Sequence, residues 1–144
     1  MRQFPSNPPA GGFLLSVNAM PIIRITSLPF ENQDSSAWPK AVCEAFSTAT
    51  EIPLQHVSVT WQLLPCGHYA HAGHNTYYQP NNSHPLIVEI LLPDFYALDR
   101  VEKIMQCTVS AIHDVVGMPK ENIFVQVNRA RSGAVYDEGR VVRW

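Results

Sequence analysis

The sequence predicts an α+β domain: a tandem β-α-β repeat whose four strands form one mixed sheet with two helices on one face. Two alignments of the chain with itself carry this. Residues 21–30, PIIRITSLPF, match residues 85–94, PLIVEILLPD, at an offset of 64, which pairs Pro21 with Pro85 and Pro29 with Pro93. Residues 52–59, IPLQHVSV, match residues 118–125, MPKENIFV, at an offset of 66, which pairs Pro53 with Pro119, Val57 with Ile123 and Val59 with Val125. The same offset pairs Gly67 with Gly133 and Gly73 with Gly139. Self-similarity at one period marks repeated supersecondary units, here about 21–84 and 85–144.

Each unit reads strand, helix, strand. Residues 22–28 are apolar and β-branched, as a strand requires. A helix is expected from about Ser35 to Thr50, with Ser35 and Ser36 as candidate caps and Pro39 in the first turn, where its missing N–H does little harm. Its inner face is Trp38, Val42, Ala45, Phe46 and Ala49. Pro53 stops it, and His56–Leu64 is the second strand. Residues 86–92 form an almost continuous apolar run, the pattern of a buried strand. A second helix runs from about Ala97 to Val116, with Val101, Ile104, Met105, Thr108, Ile112, Val115 and Val116 inward and Gly117 as its C-cap. Residues 122–128 are the last long strand. Right-handed parallel crossovers within each unit put both helices on one sheet face. The opposite face is then bare, and strands this apolar predict oligomerisation through it. The tail GRVVRW, 139–144, reads as an edge strand pairing with a neighbour.

Composition bounds the function. The chain has 144 residues, 46% hydrophobic and 15% charged, with net charge −2. That fits one domain and gives no basic surface for a nucleic acid. No apolar stretch reaches the length of a membrane span. Cys43, Cys66 and Cys107 are widely spaced and odd in number, which argues against a disulfide framework and for a cytoplasmic setting; Cys43 and Cys107 fall in helical patterns and read as core. Residues 1–19 hold three prolines and two glycines and read as a flexible extension or a mis-assigned start, with residues 20–144 as the single domain.

The pair Met20-Pro21 carries the chemistry. Within the chain, Pro21 is a strand-opening proline, which an edge tolerates. With the preceding residues removed it has a free secondary amine. A free α-amino group titrates near pH 8, and apolar walls lower it further.

Met20-Pro21 followed by IIRI, the segment ATEIPLQHVSV (49–59), the turn GHYAHAG (67–73) and the duplication itself together resemble the tautomerase superfamily, which includes 4-oxalocrotonate tautomerase and macrophage migration inhibitory factor. The resemblance covers residues 20–144. It implies a trimer, no cofactor, and Pro21 as the general acid/base on a small carboxylate-bearing enol or 2-oxo acid. It also leaves open hydration, dehalogenation or decarboxylation by the same proline, and a non-catalytic trimeric binding protein with Pro21 internal. The family's anion-binding arginines do not carry over: their positions hold Glu31 and Ser58, and Ile52 stands where one branch has a lysine. The remaining candidates are Arg129 and Arg131 in NRARSG, with Asn128 beside them. Tyr69 matches the aromatic that packs over the substrate, and Tyr136 lies near its counterpart turn. His68, His71 and His74 recur every third residue, but without Cys or carboxylate at ligand spacing the turn predicts no metal site.

Overall fold

The computed structural model describes residues 20–144; the extension expected at 1–19 lies outside the described residues. Four strands make the main sheet: β1 (Ile22–Ser27), β2 (Ser58–Leu63), β5 (Leu86–Pro93) and β6 (Ile123–Ala130), in the order β2-β1-β5-β6. β1–β2 and β5–β6 are parallel, and the central β1–β5 pair is antiparallel. Helices α1 (Trp38–Thr50) and α2 (Leu98–Val116) make the crossovers. Each unit also ends in a hairpin, β3 (Ala70–His71) with β4 (His74–Asn75) and β7 (Val135–Asp137) with β8 (Arg140–Val142). The expected class, strands and helices are all present.

The core lies between the helices and one sheet face. Ile23, Ile25, Leu86, Val88, Ile90 and Leu92 alternate inward from the two central strands and meet Val42, Phe46, Ile104 and Ile112 from the helices. Phe46 is fully buried, and its loss to Ala costs about 3–5 kcal/mol. On α1, Thr50 rather than Ala49 is buried. Its hydroxyl donates to the Phe46 carbonyl at 2.8 Å and accepts from the Ile52 N–H at 3.2 Å, which satisfies it inside the core. Neither Ser35 nor Ser36 caps α1. The N-cap is Ala37, and the Ser36 hydroxyl bonds Asp34 instead. Cys43 and Cys107 are half-buried and pack against the core.

The second-half alignment survives intact. Pro53 and Pro119 both stand at ψ 138°, each followed by one 3₁₀ turn. Ala72-Gly73 and Glu138-Gly139 all have positive φ, the signature of a two-residue hairpin turn twisted to match its strands. The first-half alignment is corrected by one residue. Ile23 lies opposite Val59, and Val88 opposite Val125. Since Val59 corresponds to Val125, Ile23 corresponds to Val88, at an offset of 65. A one-residue slip turns every side chain to the other face; matching prolines by type had done that. Pro21 is therefore the equivalent of Leu86, and Pro85 of Met20.

The bare sheet face is less apolar than expected. Arg24, Thr60, Gln62, Glu89, Gln126 and Asn128 stand on it, with Ile22, Ile87, Leu91 and Phe124 between them. The continuous apolar run of β5 reflects its inward residues, because Glu89 and Ile87 are exposed. Residues 140–142 of the tail pair with β7 of the same chain.

Candidate functional site

Pro21 sits at one end of the sheet, immediately before β1, and is buried. Its carbonyl accepts the Ser58 N–H at 3.1 Å. Ile22 lies opposite Leu91, so Pro21 continues the ladder beside Leu92, and Leu92 lies opposite Arg129. Pro21 and Arg129 thus share one row two strands apart, about 10 Å between backbones at ordinary strand spacing. Alternation turns both towards the helix side. With Met20 attached, the ring nitrogen is a tertiary amide with no proton and no basicity.

Arg129 is the fastening of this end. One guanidinium nitrogen, Nη2, donates to the Asp94 carbonyl at 2.8 Å and to the Tyr96 carbonyl. It thereby ties β6 to the connection from β5 to α2. Arginine has five N–H donors in a fixed fork, so Nε and Nη1 are left for a further acceptor. Trp144 Nε1–H donates to Asp94 Oδ1 at 2.8 Å, and the Trp144 ring meets Phe95 edge-on at 5.8 Å. Burial pushes the Tyr96 hydroxyl above its ordinary range, partly offset by the charge of Arg100. These four residues, Asp94, Phe95, Tyr96 and Trp144, enclose the end of the sheet, and sequence reasoning missed them as a group. The only hint was an aromatic pair following Pro93-Asp94.

The expected anion contacts divide. Arg129 belongs to β6 itself, while Arg131 lies past its end, exposed. Asn128 alternates to the open face, where Gln126 Nε2 donates to its Oδ1 at 3.5 Å. Tyr136 is 71% exposed on β7, in the hairpin that follows this end. Tyr69 lies elsewhere. Its hydroxyl donates to the Pro85 carbonyl at 2.7 Å and its ring meets His84 edge-on at 5.0 Å. Pro85 precedes β5, so Tyr69 marks the opposite end of the sheet, about 20 Å from Pro21 within one chain. Of the positions where the resemblance expects cations, Glu31 and Ser58 are exposed and Ile52 is buried in the core.

In the first hairpin His71 and His74 are exposed. His71 lies 5.8 Å from the His84 ring, and His84 Nε2 bonds the His74 carbonyl at 2.7 Å. Among the described residues no group of three or more His, Cys, Asp or Glu is placed to hold a metal ion. No helix among them is long and apolar enough to cross a membrane. A groove of about 400 Å³, lined by Met105, Gln106, Val109, Ser110 and Lys120, runs on α2 away from the Pro21 end.

No protein-family model matches the chain, and no curated protein matches it in sequence. Solved structures do match. A fused 4-OT, solved as an asymmetric trimer, superposes with a TM-score of 0.69 at 14% identity, covering 84% of this chain and 95% of that one. A member of the cis-3-chloroacrylic acid dehalogenase family gives 0.64 at 15% identity, covering 84% and 82%. Macrophage migration inhibitory factor of Toxoplasma gondii gives 0.59 at 16% identity, covering 83% and 97%. These likenesses extend over most of each chain, and this chain has the fold of these structures.

Proposed function

We propose that the chain, once it begins at Pro21, is a proline-dependent tautomerase acting on a small enol or 2-oxo acid. The observation that carries this is the place of Pro21. It is buried at the end of a central strand, in one row with Arg129, with aromatic residues around that end. A neutral ring nitrogen there takes a proton from the substrate enol hydroxyl and returns one to carbon. A base whose pKa lies near working pH does this best, with a contribution of about 10²–10⁴-fold. The N–H groups left on Arg129 Nε and Nη1, and Arg131 beyond the strand, suit a carboxylate. Asn128 and Tyr136 flank them.

The functional unit is a homotrimer, by likeness to the trimeric fused 4-OT, and its setting the cytoplasm. Phe124 and Leu98, 54% and 75% exposed in the single chain, are apolar surface for its contacts. Tyr69 reaches a Pro21 pocket only from a neighbouring subunit, given its place at the far end of its own sheet. The likeness to the dehalogenase family favours a second reading, in which protonated Pro21 acts as an acid in hydration or dehalogenation.

The test compares three proteins: a chain beginning at Pro21, the same chain with Pro21→Ala, and the chain with residues 1–20 retained. Ketonisation of phenylenolpyruvate is followed by ultraviolet absorbance. Turnover is expected from the first only, with Pro21→Ala at least about 10²-fold slower. Equal rates in the first two reject the proline mechanism. Turnover of a haloacrylate but not of the enol favours the second reading.

A further inference from the structure

His56 Nε2 is closed off from solvent and has no hydrogen-bond partner. A buried polar atom left unpaired costs about 1–3 kcal/mol, so such an atom calls for an explanation. The repeat supplies one. His56 and Asn122 occupy the same place in the two units: each closes the 3₁₀ turn after Pro53 or Pro119, and each backbone N–H donates to that proline's carbonyl at 2.9 Å. Asn122 uses its side chain on the chain arriving at β5. Its Nδ2 donates to the carbonyls of Pro80 at 3.1 Å and Ser83 at 3.0 Å, the latter three residues before Leu86. Leu86 is the equivalent of Pro21. At that offset the Ser83 carbonyl corresponds to position 18, just ahead of Pro21 and outside the described residues. What places His56 at this end is its neighbour: Val57, the next residue, continues the ladder beside Pro21.

We propose that His56 is a positioning residue for the Pro21 amine: its Nε2 accepts one of the two N–H bonds of protonated Pro21 and leaves the other directed at the substrate. This rests on the reading that Pro21 becomes the first residue. The contact is charge-assisted, the stronger kind of hydrogen bond. It orients the ring nitrogen without itself touching the reacting atoms, and it requires the imidazole to be neutral with its proton on Nδ1. A hydrogen bond accepted from the cationic form favours that form. Asp94, Tyr96, Arg129, Arg131 and the half-buried Cys43, whose Sγ lies 3.7 Å from the Val57 carbonyl, are ionisable groups at this end. They stay in place in every variant below.

The experiment titrates ¹⁵N-labelled Pro21 by NMR in the chain beginning at Pro21, which reads the amine whether or not any substrate turns over. His56→Phe keeps a ring and removes the acceptor; the Pro21 titration is expected to fall by about one pH unit. His56→Asn, the residue the fold accepts in the second unit, keeps an acceptor and is expected to hold the titration near that of the parent. If both variants titrate with the parent, or if His56→Phe raises the value, the assignment is overturned. Should His56→Phe fail to fold, the His56 Nε2 resonance is compared between the chain beginning at Pro21 and the chain retaining Met20. Movement as the amine titrates in the first chain alone supports the contact, and identical behaviour in both overturns it. Absence of turnover with the titration shift present would reject the tautomerase reading and leave the His56 contact standing.

Discussion

The Ser58 N–H holds Pro21 by its carbonyl, 3.1 Å away, so the ring is anchored in the sheet on the side away from its nitrogen. Removal of the residues before Pro21 leaves this anchor in place. Proline has no N–H to contribute to the ladder, which makes it a residue whose nitrogen can be exposed without breaking a strand hydrogen bond.

Arg129 is expected to affect both stability and binding. Arg129→Ala leaves the Asp94 and Tyr96 carbonyls without their shared donor and removes the charge-assisted contact to a carboxylate. A contact of that kind is worth about 1.5–3 kcal/mol, so KM of the chain beginning at Pro21 should rise about 10–100-fold with a lower thermal midpoint. Arg129→Lys keeps the charge but loses the fork and should recover only part of the loss. Steady-state kinetics and calorimetry on both variants check this; an unchanged KM in Arg129→Ala removes Arg129 from the anion site.

The two helices end in the same left-handed conformation with different residues. Glu51 has φ 64° and Gly117 φ 76°. A non-glycine residue pays about 1–2 kcal/mol there. Glu51→Gly is expected to stabilise by about 1 kcal/mol, net of the added chain entropy of the unfolded state. Gly117→Ala is expected to destabilise by about 1 kcal/mol, for backbone reasons alone, because a Cβ at Gly117 meets nothing within 4 Å. Urea unfolding of the two variants gives both signs.

Tyr69 separates a tie from a wall. Tyr69→Phe loses the bond to the Pro85 carbonyl and should cost about 1 kcal/mol of stability with turnover essentially unchanged. Tyr69→Ala removes the ring as well. If the neighbouring subunit's ring covers the pocket, this variant alone raises KM; equal KM in both variants leaves Tyr69 as a tie only.

Alkaline pH is expected to loosen the fold. Burial raises the Cys43 thiol and the Tyr96 and Tyr69 hydroxyls above their ordinary values of 9.0 and 10.0. Above those values the unfolded chain has released protons that the folded chain still holds, so stability falls as pH rises. The contribution is intact below about pH 9 and is lost as pH climbs through the folded values. Thermal midpoints between pH 8 and 11 should decline progressively, and a flat profile contradicts the burial of these groups.

The architecture was legible because it is written in periodicity. Helical spacing located Trp38, Val42 and Phe46, and the shared Pro53/Pro119 and Gly73/Gly139 spacing located the junctions and turns. Matching Pro21 with Pro85 failed because residue type was compared where side-chain direction decides equivalence, and direction appears only when the strands are paired. The candidate site was half legible. Pro21 and Arg129 share a sheet end because strand order brings them there, and the sequence indicated both. Tyr69 was assigned by resemblance, yet its hydroxyl is occupied about 20 Å away at the other end of the sheet, a relation that no linear spacing displays. Asp94, Trp144 and His56 read in the sequence as ordinary structural residues because each acquires its meaning from a partner distant along the chain: 50 residues separate Trp144 from Asp94.

The corrected register bears on how many working centres an assembly can have. Each chain presents two quasi-equivalent termini of its sheet, and three chains would present six. Leu86 fills the second terminus with an aliphatic side chain on an interior amide, which no processing of the chain's start can unmask. On the proposed reading, three such chains beginning at Pro21 would hold three free amines, with the other three places serving as scaffold alone.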